Sequence, residues 1–107
     1  MVCIEFLYWE DCPGHKRALL LLRESMQRLQ IEASLTITRI DTEEEASQRQ
    51  FFGSPTILVN GRDIAPPPEE IAPGLNCRAY RRADGRISPL PPVELVEAAL
   101  KAAAAAA

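Results

Sequence analysis

The sequence predicts an α/β domain with a four-stranded mixed sheet flanked by helices, on three observations. Apolar, β-branched runs and helical patterns succeed one another in the order β-α-β-α-β-β-α, the arrangement of a layered α/β unit. Asn60-Gly61, between two such runs, is the strongest short hairpin signal in the chain. The 107 residues suffice for one core and are too few for two, so the whole chain, 1–107, reads as a single domain. A right-handed βαβ crossover makes the first two strands parallel. With the hairpin, the expected strand order is second, first, third, fourth, the third antiparallel to the others.

The first strand is Val2 to Trp9, almost wholly apolar and read as a central strand buried on both faces. Glu10-Asp11-Cys12-Pro13 supplies a turn and the start of a helix, with Pro13 suited to a first turn because it has no N–H to donate. From Gly14 to Gln30 the period is helical. His15, Leu19, Leu22, Met26 and Leu29 form one stripe, Arg17, Glu24 and Arg28 lie opposite, and Leu20 and Leu21 widen the apolar surface toward a second covered side.

Ala33 to Ile40 alternates as a second strand. Thr42-Glu43-Glu44-Glu45 has the form of a capping box with an acidic first turn, opening a short helix expected to stop at Gly53. Pro55 to Val59 is the third strand and Arg62-Asp63-Ile64 a short fourth. The stretch from about 65 to 92 is irregular and holds most of the nine prolines. Connections of that length are uncommon in a compact domain and, when ordered, are often functional. Ala83 to Arg86 fits the turn of a small hairpin within it. A last helix runs from Val93 to about Ala105, with Val93, Val96, Ala99 and Leu100 inward.

Composition narrows the function classes. Apolar residues make up 47% and charged residues 25%, as in ordinary globular domains, and the net charge is −3. That charge gives no reason to expect nucleic acid or an anionic membrane as partner. No apolar run approaches the length that spans a bilayer. Residues Met1 to Glu5 lack the basic start of a secretory leader, so the cytoplasm is the expected location. Three cysteines, Cys3, Cys12 and Cys77, are too few and too spread for a disulfide scaffold, and no two have zinc-site spacing. In a reducing compartment a thiol that matters is a reactive one.

Cys12 has the most promising surroundings. At a strand's C-terminal end and in a helix's first turn, it would face free backbone N–H groups and the positive end of the helix dipole. Both lower a thiol's pKa, and His15, three residues on, could add a hydrogen bond or ion pair. The expectation is a partly exposed Cys12, alkylated faster than Cys3, which reads as a small hydrophobe within the buried strand. Glu10 and Asp11 oppose the shift without reversing it. Arg78, Arg81, Arg82 and Arg86 read as a solvated loop face.

A strand ending in Trp9, then Cys12-Pro13-Gly14-His15 opening a helix, then Gly53-Ser54-Pro55-Thr56 before a hairpin, resembles the thioredoxin and glutaredoxin superfamily. The resemblance covers about residues 2–64 and the final helix. It implies a thioredoxin-like fold, a nucleophilic Cys12 aided by His15, and no cofactor. It also implies a cis Ser54–Pro55 bond within reach of Cys12, and binding of a partner thiol by Trp9, Pro13, Ser54 and Pro55. The expected partner is a protein disulfide or a small thiol such as glutathione. His15 stands where the dithiol enzymes of the family have their second cysteine. Gly74-Leu75-Asn76-Cys77-Arg78, with Tyr80, resembles a group of small thioredoxin-like proteins, some loosely associated with organomercurial lyases. Three functions stay open: a redox protein using Cys12, either as a monothiol with an external thiol such as glutathione or as a dithiol with Cys77 as a distant resolving partner; a thiophilic metal binder, of the mercury type, using both; and a non-catalytic interaction domain. The Pro-rich connection is long enough to carry Cys77 to Cys12, held by Ile71, Leu75 and Tyr80.

Overall fold

Seven strand and helix segments of the sequence pattern, and the small hairpin expected in the Pro-rich stretch, appear in a computed structural model that describes residues 2–82 and 84–106. In chain order they are β1 (Val2–Tyr8), α1 (His15–Arg28), β2 (Ala33–Arg39), α2 (Glu43–Gln48), β3 (Thr56–Val59), β4 (Arg62–Asp63), β5 (Tyr80–Arg81), β6 (Ile87–Ser88) and α3 (Val93–Ala106). The main sheet has the order β2-β1-β3-β4. β1 pairs parallel with β2, while β3 runs antiparallel to both β1 and β4. Asn60 and Gly61 take φ values of 51° and 80°, the left-handed pair that a two-residue hairpin turn requires. The Asn60 side chain also accepts from Cys3 N at 2.9 Å, tying the turn to the start of β1.

The pleat sorts the apolar residues onto two faces. Val2, Ile4 and Phe6 of β1 with Ile57 and Val59 of β3 pack against Ala18 and Leu22 of α1 and Val96 and Leu100 of α3. Leu7 points the other way and packs with Ile40, Ala46 and Phe51, under α2. β1 is therefore central, but it is not buried on both faces throughout. Cys3 is exposed and Glu5 half-buried. Six helical residues extend about 9 Å, against about 23 Å for a seven-residue strand, so α2 covers only the Leu7 end. An Arg49–Glu5 ion pair spans the uncovered part.

Both early helices end sooner than the hydrophobic pattern suggests, and in the same way. After α1, Gln30 sits at φ 53°, and Ile31 N donates to Met26 O at 3.1 Å. After α2, Gln50 sits at φ 53°, and Phe51 N donates to Ala46 O at 2.8 Å. These are Schellman closures with glutamine at the position that favours glycine. Helix α2 thus stops at Gln48, not at Gly53. Its capping residue is the expected one, since Thr42 Oγ1 accepts from Glu45 N at 3.0 Å. The Glu45 carboxylate reaches back to Asp41 N instead of Thr42 N. Leu20 is 57% exposed, so α1 is covered on one side only.

Relief of left-handed strain, about 1–2 kcal/mol, exceeds glycine's entropic cost of about 0.5–1 kcal/mol. Gln30→Gly is therefore expected to stabilise the fold by about 0.5–1 kcal/mol. A urea midpoint equal to or below that of the parent would contradict this.

The Pro-rich connection is held as a strap. Gly74 N donates to Phe51 O, Ser54 N to Asn76 O and Arg78 N to Ser54 O, at 3.0, 2.7 and 2.8 Å. Residues 74–78 thus run parallel to residues 51–54, with a bridge at Ser54 and Cys77. Leu75 joins the α2-side core and Tyr80 is buried, whereas Ile71 is exposed. β5 and β6 form the small hairpin expected in this stretch; of its turn, Asp84 to Arg86 are described and Ala83 lies outside the described residues. Arg81, Arg82 and Arg86 are exposed, but Arg78 is 6% exposed and belongs to the interior.

Candidate functional site

Cys12 follows β1 in a turn closed by its own N–H, which donates to Trp9 O at 3.1 Å. The helix does not begin at Cys12. Gly14, at φ 95°, is the N-cap and α1 starts at His15. The cysteine is thus outside the ring of free first-turn N–H groups that a helix start would offer it. It is also 1% exposed, the reverse of the expectation, whereas Cys3 is open to solvent.

The sulfur faces carbonyls. Cys12 Sγ donates to Pro13 O at 3.4 Å and to Ser54 O at 3.5 Å. Burial, and then the neighbouring Cys77 thiol through hydrogen bonding and charge, push the Cys12 thiol up to about 12 from an ordinary 9.0; a hydrogen bond from Ser54 opposes them. The expected downward shift is therefore corrected in sign, because desolvation outweighs any help from the helix. His15 does not contribute a bond to the sulfur. Its ring stacks on Tyr8, centroids 4.7 Å apart at 21°. Pro13 is exposed beside the site.

Ser54 is completely buried and its peptide bond to Pro55 is cis. Its hydroxyl accepts from Trp9 N at 3.0 Å, which fixes the end of β1 against the start of β3. The Trp9 ring packs on the Leu7–Phe51 core. The backbone N–H and C=O of Ser54 are both taken by Asn76 and Arg78. The backbone of Ser54, one of the residues expected to bind a partner thiol, is therefore engaged by the chain's own strap, and Pro55 beside it is buried. In that place the strap presents Cys77, which interacts with Cys12 while remaining exposed. Both cysteines are free thiols.

Tyr80, as expected, helps to hold the strap down, and it does so with a pair that sequence reasoning passed over, Arg78 and Asp63. The Arg78 guanidinium meets Asp63 of β4 with Nη1–Oδ2 at 3.0 Å and Nη2–Oδ1 at 3.2 Å. It also donates to Thr56 Oγ1 at 3.3 Å and to Ala65 O, and lies 5.0 Å from the centre of the Tyr80 ring. The Tyr80 hydroxyl donates to Pro55 O at 2.8 Å. No local pattern marks these contacts. The available signal was an aspartate in a two-residue edge strand, which needs a cation to be buried.

Gly53 is the other hidden requirement. At φ 125°, a Cβ there would stand 2.7 Å from Asn76 Oδ1 and 2.9 Å from Arg78 N. Gly53→Ala is expected to lift the strap, lowering stability by about 1–3 kcal/mol and separating Cys77 from Cys12. Unchanged stability with unchanged cysteine proximity, read by thiol crosslinking, would contradict this.

Among the described residues no group of three or more His, Cys, Asp and Glu side chains is placed to hold a metal ion, and no helix is long and apolar enough to cross a membrane. Comparisons of the chain with protein-family models, with curated proteins and with solved structures give no match in any of the three.

Proposed function

We propose that this chain is a thioredoxin-like thiol–disulfide redox protein that works through the pair Cys12 and Cys77, in a reducing compartment such as the cytoplasm. The observation that carries the reading is the docking of residues 74–78 on residues 51–54, which sets an exposed thiol against a buried one. The sheet order β2-β1-β3-β4, with Cys12 directly after the central strand, supports the thioredoxin-like reading. His15 closes the usual local motif to a disulfide, and Cys77 supplies from the strap the second sulfur that a dithiol cycle needs. The partner class is a protein disulfide, or a small thiol such as glutathione returning the pair to the reduced form.

The test uses a Cys3→Ser variant, which leaves only the pair. Glutathione disulfide is expected to convert it to a form lighter by two hydrogens, with the Cys12 and Cys77 peptides linked in a proteolytic map. Turnover of a mixed disulfide with reduced glutathione should accompany it. A stable glutathione adduct with no internal link would defeat the reading. A soft-metal binder is favoured by the same two sulfurs, which suit two-coordinate thiolate ligation. Stoichiometric metal retention without disulfide cycling, abolished by Cys12→Ser, would support it instead.

A further inference from the structure

The two thiols of the pair have opposite surroundings. Cys12 is 1% exposed, and its proton is directed at two carbonyl oxygens, Pro13 O and Ser54 O. A thiolate there would face those two oxygens, with a hydrogen bond from the Ser54 side chain as its one counterweight. No backbone N–H among the described residues donates to its sulfur. Cys77 is exposed and lies on the wall of an open groove of about 640 Å³, with Phe52, Pro67, Ile71 and Tyr80 among its lining residues. A disulfide and the groups flanking it can reach Cys77 from that groove, whereas Cys12 borders a separate pocket formed by Glu10 to Arg17 and shows almost none of its surface there.

We propose that Cys77 is the attacking thiol and Cys12 the resolving one, an order of use opposite to that implied by the position of Cys12 after β1. The inference rests on the dithiol reading above. In the first step the Cys77 thiolate, its proton given to water, attacks one sulfur of a substrate disulfide. A Cys77–substrate S–S bond forms, the substrate's own S–S bond breaks, and the second substrate sulfur leaves as a thiolate. In the second step Cys12 attacks Cys77 Sγ, forming the Cys12–Cys77 bond. The first substrate sulfur departs and takes up the proton that Cys12 gives up. The substrate gains two electrons and the pair loses two. Two equivalents of a low-molecular-weight thiol restore the dithiol. Cys12 thus acts only on a sulfur already delivered to it, which agrees with its burial.

The experiment follows thiopyridone release from dithiodipyridine, a small neutral disulfide, in a Cys3→Ser background. With Cys12→Ser, one equivalent is expected to appear promptly, leaving a stable pyridylthio adduct on Cys77; Cys12→Ala should do the same, which separates the result from any effect of a buried hydroxyl. With Cys77→Ser, release is expected to be slower by about tenfold or more. With both cysteines present, two equivalents should appear and the product should carry the internal disulfide and no adduct. Release from Cys77→Ser as fast as from Cys12→Ser would overturn the assignment of roles. Two adducts and no internal disulfide would instead overturn the dithiol reading itself, so the two failures are distinct.

Discussion

Replacing Arg78 with alanine is expected to cost about 3–5 kcal/mol of stability and to detach the strap that carries Cys77. The side chains of Arg78 and Asp63 are only 6% and 13% exposed, and their fork-to-carboxylate contact joins β4 to a segment fifteen residues later. Removing the guanidinium leaves the Asp63 carboxylate buried without its cation, and also strips donors from Thr56 and Ala65 and a cation from the face of Tyr80. That uncompensated charge is what makes breaking a buried pair so costly. Arg78→Lys is expected to be intermediate, since an ammonium cannot match two carboxylate oxygens at once. The charge-free pair Arg78→Met with Asp63→Leu should recover most of the loss. Urea unfolding reads all three. A loss below about 1 kcal/mol for Arg78→Ala would mean that the contact behaves as a surface ion pair. Closure of the Cys12–Cys77 disulfide should slow in Arg78→Ala in parallel.

What was legible in the sequence was local. Thr42 and Glu45 announce the start of α2 because a cap needs only residues three apart, and Asn60-Gly61 announces its hairpin because two left-handed residues suffice. The apolar run of β1 marks a central strand, and from strand order the mixed sheet follows. The errors arise where a distant partner decides. Cys3 and Cys12 exchange their expected exposures because α2 is too short to cover one and the strap covers the other. Gln30 and Gln50 end their helices although glutamine carries no stop signal, since the hydrogen bonds from Ile31 and Phe51 hold them in place. The strap itself was visible only as a Pro-rich stretch long enough to reach Cys12. Its anchor is the Arg78–Asp63 contact, which no spacing rule connects, and its track is opened by Gly53, whose missing Cβ leaves room for Asn76 and Arg78.

In the reduced, folded protein at neutral pH, Cys12 is expected to be alkylated by iodoacetamide at least about tenfold more slowly than the exposed Cys3, because Cys12 is buried with its proton held and the thiolate is the reactive species. Cys3, exposed on the open end of β1, serves as the internal standard. Peptide mapping over time should show Cys3 modified while Cys12 remains free, and urea should bring the two rates together. Equal rates in the folded protein would mean that the carbonyl-lined burial of Cys12 does not hold its proton. The same tight binding has a consequence for stability. The folded state holds the Cys12 proton more strongly than the unfolded chain, so this contribution is complete below the ordinary value of 9.0 and is lost as pH rises toward about 12. Tyr80, raised chiefly by burial, acts in the same direction above its ordinary 10.0. Each such proton makes the stability fall by up to about 1.4 kcal/mol per pH unit within its window. Urea midpoints measured across the alkaline range should therefore decline in the parent and decline less in Cys12→Ala, which keeps Tyr80 but has no thiol proton to lose. Parallel curves for the two proteins would show that Cys12 ionises as readily in the folded state as in the unfolded one.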